Sequence, residues 1–159
     1  MGDDRDRIRE AVKTSHLFEE LSEASREQLI EAAALEKHDP GATILAEGET
    51  GDDLFLVLWG QVEVSVHVEG GDKKLARLGK GDVFGEIAGL IDHRRYATVT
   101  SAGKFPCGVV RFPRAPVDGI LAAEAGVKDK LQEEGTKRLA EATEAVLSGA
   151  ADDEAEAPE

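Results

Sequence analysis

The run from Leu54 to Leu78 constrains the fold more than any other stretch, because its apolar residues alternate as they do in β-strands. Residues 54–59 are apolar on both alternating sets, which indicates a strand buried on both faces. In residues 61–68 valines alternate with polar side chains, which indicates a strand with one face in water. Residues 69–72, Glu-Gly-Gly-Asp, predict a hairpin loop, and residues 73–78 return as the next strand.

Shorter runs of strand character lie on both sides of this region. Thr43–Leu45 stands between Pro40-Gly41 and Gly48, residues that favour turns. Residues 97–100 and 107–112 read as two later strands. Many short strands separated by turns are typical of a β-sandwich or jelly roll. The sequence therefore predicts an antiparallel β-sandwich with helices at its ends.

Helical periodicity is found before the β region. Apolar residues from Ile8 to Phe18 recur at three- and four-residue steps, which predicts a first helix. Ser25 followed by Gln28 is a capping-box pattern and predicts the start of a second helix. An α+β fold is therefore expected, with helices at the N-terminus.

The C-terminal part of the chain is also predicted to be helical. Pro116 suits the start of a helix, and Gly126 is interpreted as the end of this first short segment. A long helix of about five turns should follow and end at Gly149. Its apolar stripe consists of Val127, Leu131, Gly135, Leu139, Ala142 and Val146. We expect this helix either to pack back on the sandwich or to form a homodimer through the stripe.

The stretch from Gly81 to Thr100 contains the residues best suited to binding a ligand. Gly85 precedes a possible short helix over residues 86–91, and a glycine there lets a ligand approach the backbone amides of the first turn. Glu86 can accept hydrogen bonds from hydroxyl groups, and Arg95 can bind a phosphate with two parallel hydrogen bonds. The spacing predicts a phosphate-binding cassette for an anionic, hydroxyl-bearing ligand.

This cassette resembles the signature of the cyclic nucleotide-binding domain family. The resemblance rests on Phe84-Gly85-Glu86-Ile87-Ala88, on Arg95 nine positions after Glu86, and on Ala97-Thr98-Val99. It extends over roughly residues 15–147, including the segments Asp39–Gly48 and Leu54–Val64. The family includes the catabolite activator protein and the protein kinase A regulatory subunit. The resemblance implies a jelly roll with N-terminal helices, a short cassette helix and a long C-terminal helix that closes on the ligand.

The resemblance also implies roles for individual residues. Glu86 would bind the ribose 2′-hydroxyl and Arg95 the cyclic phosphate, within a cassette that includes Gly85, Ile87 and Ala88. The positions that wall the pocket in the family correspond to Val64, Leu75 and Ala97. Each of these residues also has a plainer interpretation: a surface ion pair for Glu86 and Arg95, a turn for Gly85, and ordinary barrel packing for the aliphatic side chains.

One departure from the family pattern bears on the choice of base. Tyr96 follows Arg95 where family members usually carry Ala, Ser or Thr. A short hydroxyl at this position often favours guanine in the family, so we expect cAMP to bind at least as well as cGMP. Thr136, Lys137 and Arg138 of the long helix are further candidates to reach the base edge.

Composition limits the classes of partner. A chain of 159 residues fits one domain, expected over residues 1–149, with an acidic disordered tail over residues 150–159. A net charge of −14 argues against nucleic acids and anionic membranes as partners. The single cysteine, Cys107, cannot form an internal disulfide, and no apolar run is long enough to span a membrane, so a cytoplasmic location is expected.

Three functions are compared at this point. The first is a cyclic mononucleotide receptor that signals through a separate, unidentified effector protein, since the chain ends after the long helix without a DNA-binding segment. The second is a scaffold or oligomerisation module that keeps the fold but no longer binds nucleotide. The third is a cupin-like metal enzyme, which needs a His-x-His pair that the sequence lacks. The first function is preferred. It implies that the chain is not an enzyme and needs no metal and no cofactor beyond its ligand, cAMP or cGMP.

Overall fold

A computed structural model describes residues 3–15, 18–51, 53–85 and 94–148 of the chain. It contains helices at both ends and eight strands between them. The helices are α1 (Asp3–Thr14), α2 (Glu23–Ala32), α3 (Arg114–Ala123) and α4 (Ala125–Ser148). The strands are β1 (Ala34–His38), β2 (Thr43–Leu45), β3 (Leu54–Trp59), β4 (Gln61–Val68), β5 (Gly71–Leu78), β6 (Val83–Phe84), β7 (Thr98–Ala102) and β8 (Cys107–Phe112).

The strands form two four-stranded antiparallel sheets. Sheet A has the order β1-β8-β3-β6, and sheet B has the order β2-β7-β4-β5. Side chains of both sheets meet in one apolar layer, in which Phe55 and Val57 of sheet A pack with Val62 and Val99 of sheet B. The predicted antiparallel β-sandwich with flanking helices is therefore confirmed. The short cassette helix of the prediction lies outside the described residues.

The helices explain why β3 is apolar on both faces. The face of β3 opposite sheet B, formed by Leu54, Leu56 and Leu58, belongs to a second core cluster built with the helices. α1, α2, α3 and the start of α4 contribute to it Ile8, Val12, Leu29, Ile30, Ile120, Val127 and Leu131. β3 is thus the central layer of a three-layer core, as its double apolar pattern predicts.

Two predicted boundaries were wrong. Helix α2 is capped by Ser22, whose hydroxyl accepts a hydrogen bond from the Ser25 amide at 3.2 Å, so Ser25 lies inside the helix instead of capping it. Gly126 is the second residue of α4 and does not end a helix, because the break between α3 and α4 falls at Glu124, which has a non-helical conformation (φ −129°, ψ 84°).

Glu124 joins this break to the start of α2. Its carboxylate accepts hydrogen bonds from the backbone amide of Ser22 at 3.1 Å and from the Ser22 hydroxyl at 2.9 Å. Hydrogen bonds from Ser25 and Ser22 lower the pKa of the Glu124 carboxyl below its ordinary value. The contact fixes the turn between α3 and α4 against the N-terminal helices.

Strand β1 was not predicted as a strand, although it pairs along its whole length with β8. Its residues 34–38, Ala-Leu-Glu-Lys-His, lack the apolar alternation that identifies a half-buried strand. β1 lies at the edge of sheet A, where polar residues are common.

No helix of the described part of the chain is both long and apolar enough to cross a membrane.

Candidate functional site

The candidate site begins where β6 ends, at a backbone turn that only glycine fits. Gly85 has φ +92°, in the left-handed region that other residues rarely adopt. A Cβ atom placed on Gly85 would lie 2.7 Å from the carbonyl oxygen of Asp53 and 3.2 Å from the ring of Phe55. The missing side chain therefore allows the cassette backbone to lie directly against the start of β3.

Arg95 is the buried cation of the site. Only 7% of Arg95 is exposed, and its guanidinium donates from Nη1 to the Gly85 carbonyl at 3.1 Å and from Nη2 to the Asp53 carbonyl at 3.2 Å. The structure thus brings together two of the predicted site residues, Gly85 and Arg95. Backbone carbonyls fix the plane of a guanidinium, so this group is held in one orientation.

The backbone of Arg95 is held by the segment that precedes β3. The Arg95 amide donates to the Glu49 carbonyl at 2.8 Å, and the Arg95 carbonyl accepts from the Gly48 amide at 2.8 Å. Thr50 and Arg94 form an isolated antiparallel bridge beside this pair. Both backbone and guanidinium of Arg95 are therefore anchored in the same region.

The Phe55 ring, on the face of sheet A that points to sheet B, packs against the Arg95 guanidinium. The guanidinium carbon of Arg95 lies 5.8 Å from the centre of the Phe55 ring, and that of Arg111 lies 5.3 Å from it. Phe84 stacks on the same ring, with the ring centres 4.9 Å apart and the planes 6° from parallel. Arg111 also forms ion pairs with Asp53 at 3.3 Å and with Glu36 at 2.9 Å.

Asp53, Phe55 and Arg111 are site residues that sequence reasoning missed. Phe55 could have been identified, since it alternates with the helix-facing leucines of β3 and so must face the interior of the sandwich. The register that pairs Phe55 with both Phe84 and Arg111 joins distant segments of the chain. No local sequence pattern predicts that pairing.

The predicted pocket-wall residues are all half-buried: Val64 and Leu75 lie on sheet B, and Ala97 lies directly before its strand β7. Val64 packs against the cluster between the sheets, whereas Leu75 and Ala97 pack against Val66 and Val68. Val64 pairs with Val99 in β7, two residues beyond Ala97. Tyr96, half-buried, connects Arg95 to Ala97. Val64, Leu75 and Ala97 are thus partly exposed aliphatic side chains divided between two clusters.

Three of the predicted cassette residues, Glu86, Ile87 and Ala88, lie outside the described residues. Of the three candidates on α4, Thr136 and Lys137 are exposed, and Arg138 is half-buried. The Arg138 guanidinium donates a hydrogen bond to the Val83 carbonyl of β6. α4 is therefore tied to the strand that leads into Gly85.

The remaining chemistry of the described residues is sparse. Within residues 3–15, 18–51, 53–85 and 94–148, no group of three His, Cys, Asp or Glu side chains is arranged to hold a metal ion. Cys107 is fully buried. Trp59 packs over Gly108 of β8 and under Arg7 of α1.

A family model described as the cyclic nucleotide-binding domain matches residues 35–124 of the chain. The match begins in β1 and ends at the break after α3, so it contains both sheets and the candidate site.

Relatives and a solved structure agree with this match. A cAMP-dependent protein kinase regulatory subunit from Mycosarcoma maydis is 37% identical over 87 residues, which cover 55% of this chain and 17% of that protein. A cGMP-dependent protein kinase from Toxoplasma gondii is 36% identical over 113 residues, covering 71% and 11%. The chain thus spans less than a fifth of the length of these two relatives. The regulatory domain of Toxoplasma gondii PKA, in a co-crystal structure with cAMP, has a TM-score of 0.69 and 28% identity over 76% of this chain and 45% of that one.

Proposed function

Since this chain belongs to the cyclic nucleotide-binding domain family, we propose that it binds a cyclic mononucleotide and acts as a receptor module. The observation that carries the proposal is Arg95, a buried arginine held by the carbonyls of Gly85 and Asp53. A guanidinium carries five N–H donors in one plane, so one fixed in this way is oriented for two parallel hydrogen bonds to a phosphate.

The turn at Gly85 also supports binding of a ligand phosphate close to the backbone. The turn at Gly85 brings its backbone against the Asp53 carbonyl, and Gly85 itself adds no side chain at a point 3.2 Å from Arg95 Nη1. A ligand can therefore approach the backbone closely at this point. We propose that Glu86, which directly follows Gly85, binds the ribose 2′-hydroxyl. Gly85, Ile87 and Ala88 would form the part of the cassette that the phosphate approaches.

The base would lie against the aliphatic surface of sheet B. Val64 and Leu75 of sheet B, and Ala97 directly before β7, are half-buried, so a planar base can cover apolar surface that water now reaches. Tyr96 offers no short hydroxyl for guanine, and we therefore propose that cAMP binds at least as well as cGMP. Arg138 is turned to the Val83 carbonyl, which favours a role in holding α4 over a role at the base edge.

The receptor would signal by the position of α4. The helix lies over β4 and β5 and is tied to β6, so a nucleotide bound between these elements would favour the docked helix over an undocked one. We propose that a separate effector protein, not yet identified, reads this difference. The module would act in the cytoplasm, as a regulatory component without enzymatic activity of its own.

Titration calorimetry with cAMP, cGMP and a cyclic dinucleotide tests the proposal directly. A mononucleotide at 100 times its dissociation constant should stabilise the fold by about 2.7 kcal/mol. Arg95→Ala should remove most of the binding, because the phosphate loses its charged partner. Arg94→Ala is the matched control, since Arg94 is the neighbouring arginine with an exposed side chain. If neither cAMP nor cGMP raises the melting temperature at millimolar concentration, the receptor function is wrong and the scaffold function replaces it.

A homodimer through α4 remains a separate proposal. Val127 and Leu131, the first two apolar residues of the predicted stripe, are buried in the helix-side core of the same chain. The dimer would therefore use the later part of the stripe, Leu139, Ala142 and Val146. We expect sedimentation velocity to show a concentration-dependent dimer; a monomer at high concentration with and without nucleotide would exclude it.

A further inference from the structure

Asp53 contacts two arginines, and it contacts each of them through a different group. Its backbone carbonyl accepts a hydrogen bond from Nη2 of Arg95 at 3.2 Å. Its carboxylate forms an ion pair with Nη1 of Arg111 at 3.3 Å. The guanidinium carbons of Arg95 and Arg111 lie 5.8 and 5.3 Å from the centre of the Phe55 ring. The Asp53 carboxylate therefore belongs to the surroundings of both cations.

This carboxylate would oppose phosphate binding if nothing neutralised it. Three single bonds join its carbon to the carbonyl carbon of Asp53, so it cannot lie far from Arg95 and the proposed phosphate site. Only 30% of the Asp53 side chain is exposed, so water screens its charge incompletely. A carboxylate beside a guanidinium competes with a phosphate for the N–H donors and also repels the phosphate.

Arg111 is held beside Asp53 by its strand and by a second carboxylate. In the register of sheet A, Arg111 of β8 stands between Phe55 of β3 and Ala34 of β1. Its Nε lies 2.9 Å from the Glu36 carboxylate of β1. That buried N–H makes no hydrogen bond to any residue in the described part of the chain, so charge alone holds this second pair.

We infer that Arg111 is a positioning residue for the proposed phosphate site. It holds and neutralises the Asp53 carboxylate, so that Asp53 presents its backbone carbonyl, and not its charge, to Arg95. The inference rests on the proposed nucleotide function, in which Arg95 binds the phosphate directly. Because Arg111 acts through Asp53, its effect on binding should vanish when Asp53 has no carboxylate.

A double-mutant cycle in the full chain tests this dependence. Calorimetric titration with cAMP and cGMP compares the unmodified chain with Arg111→Gln, Asp53→Asn and the double variant. Arg111→Gln should weaken binding by about fivefold, because the unpaired Asp53 carboxylate then competes for Arg95. Asp53→Asn should bind at least as tightly as the unmodified chain. The double variant should recover an affinity within about twofold of the unmodified chain, whereas a merely structural Arg111 would leave it as weak as Arg111→Gln.

Arg77→Gln is the matched control for the loss of one positive charge. The exposed fraction of the Arg77 side chain is 41%, against 43% for Arg111, and Arg77 also pairs with a carboxylate, that of Glu63, at 3.3 Å. Arg77 and Glu63 lie opposite each other on β5 and β4 of sheet B. The affinity of this variant should change by less than about twofold, since an exposed cation away from the site contributes only weak long-range attraction.

Arginine side-chain ¹H–¹⁵N NMR without nucleotide separates this inference from the nucleotide proposal. Arg111→Gln should shift the Arg95 Nε–H signal as the Asp53 carboxylate turns toward it, and the double variant should return the signal toward its original position. If neither nucleotide binds the unmodified chain, the receptor proposal fails, and the Arg95 signal alone decides whether Arg111 controls the Asp53 carboxylate.

Three results would overturn the inference. The first is an Arg95 signal that does not move in Arg111→Gln. The second is a double variant that binds nucleotide as weakly as Arg111→Gln. The third is weaker binding in Asp53→Asn than in the unmodified chain, and this comparison remains decisive if Arg111→Gln does not fold.

Discussion

The two sheets contribute different kinds of surface to the candidate nucleotide site. Sheet A and its turns supply backbone carbonyls and fully buried rings: Arg95 binds the carbonyls of Gly85 and Asp53 and lies over Phe55, which is 1% exposed. Sheet B supplies half-buried aliphatic side chains, among them Val64 and Leu75. In the proposed binding mode, the phosphate end would be defined by backbone geometry and the base end by side-chain packing.

This difference predicts unequal tolerance to substitution. Backbone carbonyls cannot be replaced by mutation, but they can be displaced when a neighbouring side chain forces the chain apart. Half-buried aliphatic side chains can be exchanged for others of similar volume at low cost in stability. Changes on the sheet A side should therefore abolish phosphate binding, and changes on the sheet B side should alter which base is preferred.

The largest effect is expected from Gly85→Ala. The new Cβ would lie 2.7 Å from the Asp53 carbonyl at a φ of +92°, so strain and a steric clash act together. We expect a loss of at least about 3 kcal/mol in the free energy of unfolding, together with loss of nucleotide binding. Urea denaturation and calorimetric titration measure the two effects.

Gly81→Ala is the control for Gly85→Ala. Gly81 has nearly the same φ, +91°, but a Cβ there would have no atom within 4 Å. It should cost only the strain of the left-handed conformation, about 1 to 2 kcal/mol, and leave binding intact. Equal losses in the two variants would show that the contact with Asp53 does not matter.

A second pair of variants compares the two sheets directly. Phe55→Ala removes a ring that is 1% exposed and stacked on Phe84, so about 3 to 5 kcal/mol of stability should be lost. Leu75→Ala removes a half-buried side chain, and about 1 kcal/mol is expected. Chemical denaturation of both variants gives the comparison. Similar losses would contradict the description of sheet B as the more tolerant side.

Much of this architecture follows from local patterns. The double apolar set of residues 54–59 predicted a strand between two layers, and the structure confirms β3 in that position, with the helices on one face and sheet B on the other. The strand over residues 107–112 was predicted with its observed limits. Buried segments of this kind are predictable because the spacing of their apolar residues along the sequence indicates which faces are buried.

Features that depend on distant partners were not predictable in the same way. β1 is a strand because β8 offers it a hydrogen-bonding edge, and its own residues give no sign of this. Helix α2 is capped by Ser22 instead of Ser25, and the distant residue Glu124 also binds the Ser22 hydroxyl. At the site, Gly85 and Arg95 were predicted from their spacing and are in contact, whereas Asp53 and Arg111 join them only through the register of sheet A.

The smallest effect is expected at the base end, from Tyr96→Thr. A threonine hydroxyl directly after Arg95 would offer guanine a polar contact worth on the order of 1 kcal/mol. The ratio of cGMP to cAMP affinity should therefore rise several-fold, while the phosphate contact through Arg95 remains. Tyr96→Phe keeps the ring, adds no short hydroxyl and should leave the ratio unchanged. Competition titration of each variant with both nucleotides measures the ratio. Two results would contradict a role of Tyr96 in base selection: an unchanged ratio in Tyr96→Thr, or a tenfold preference of the unmodified chain for cGMP. The base would then be selected by another element, with α4 as the next candidate.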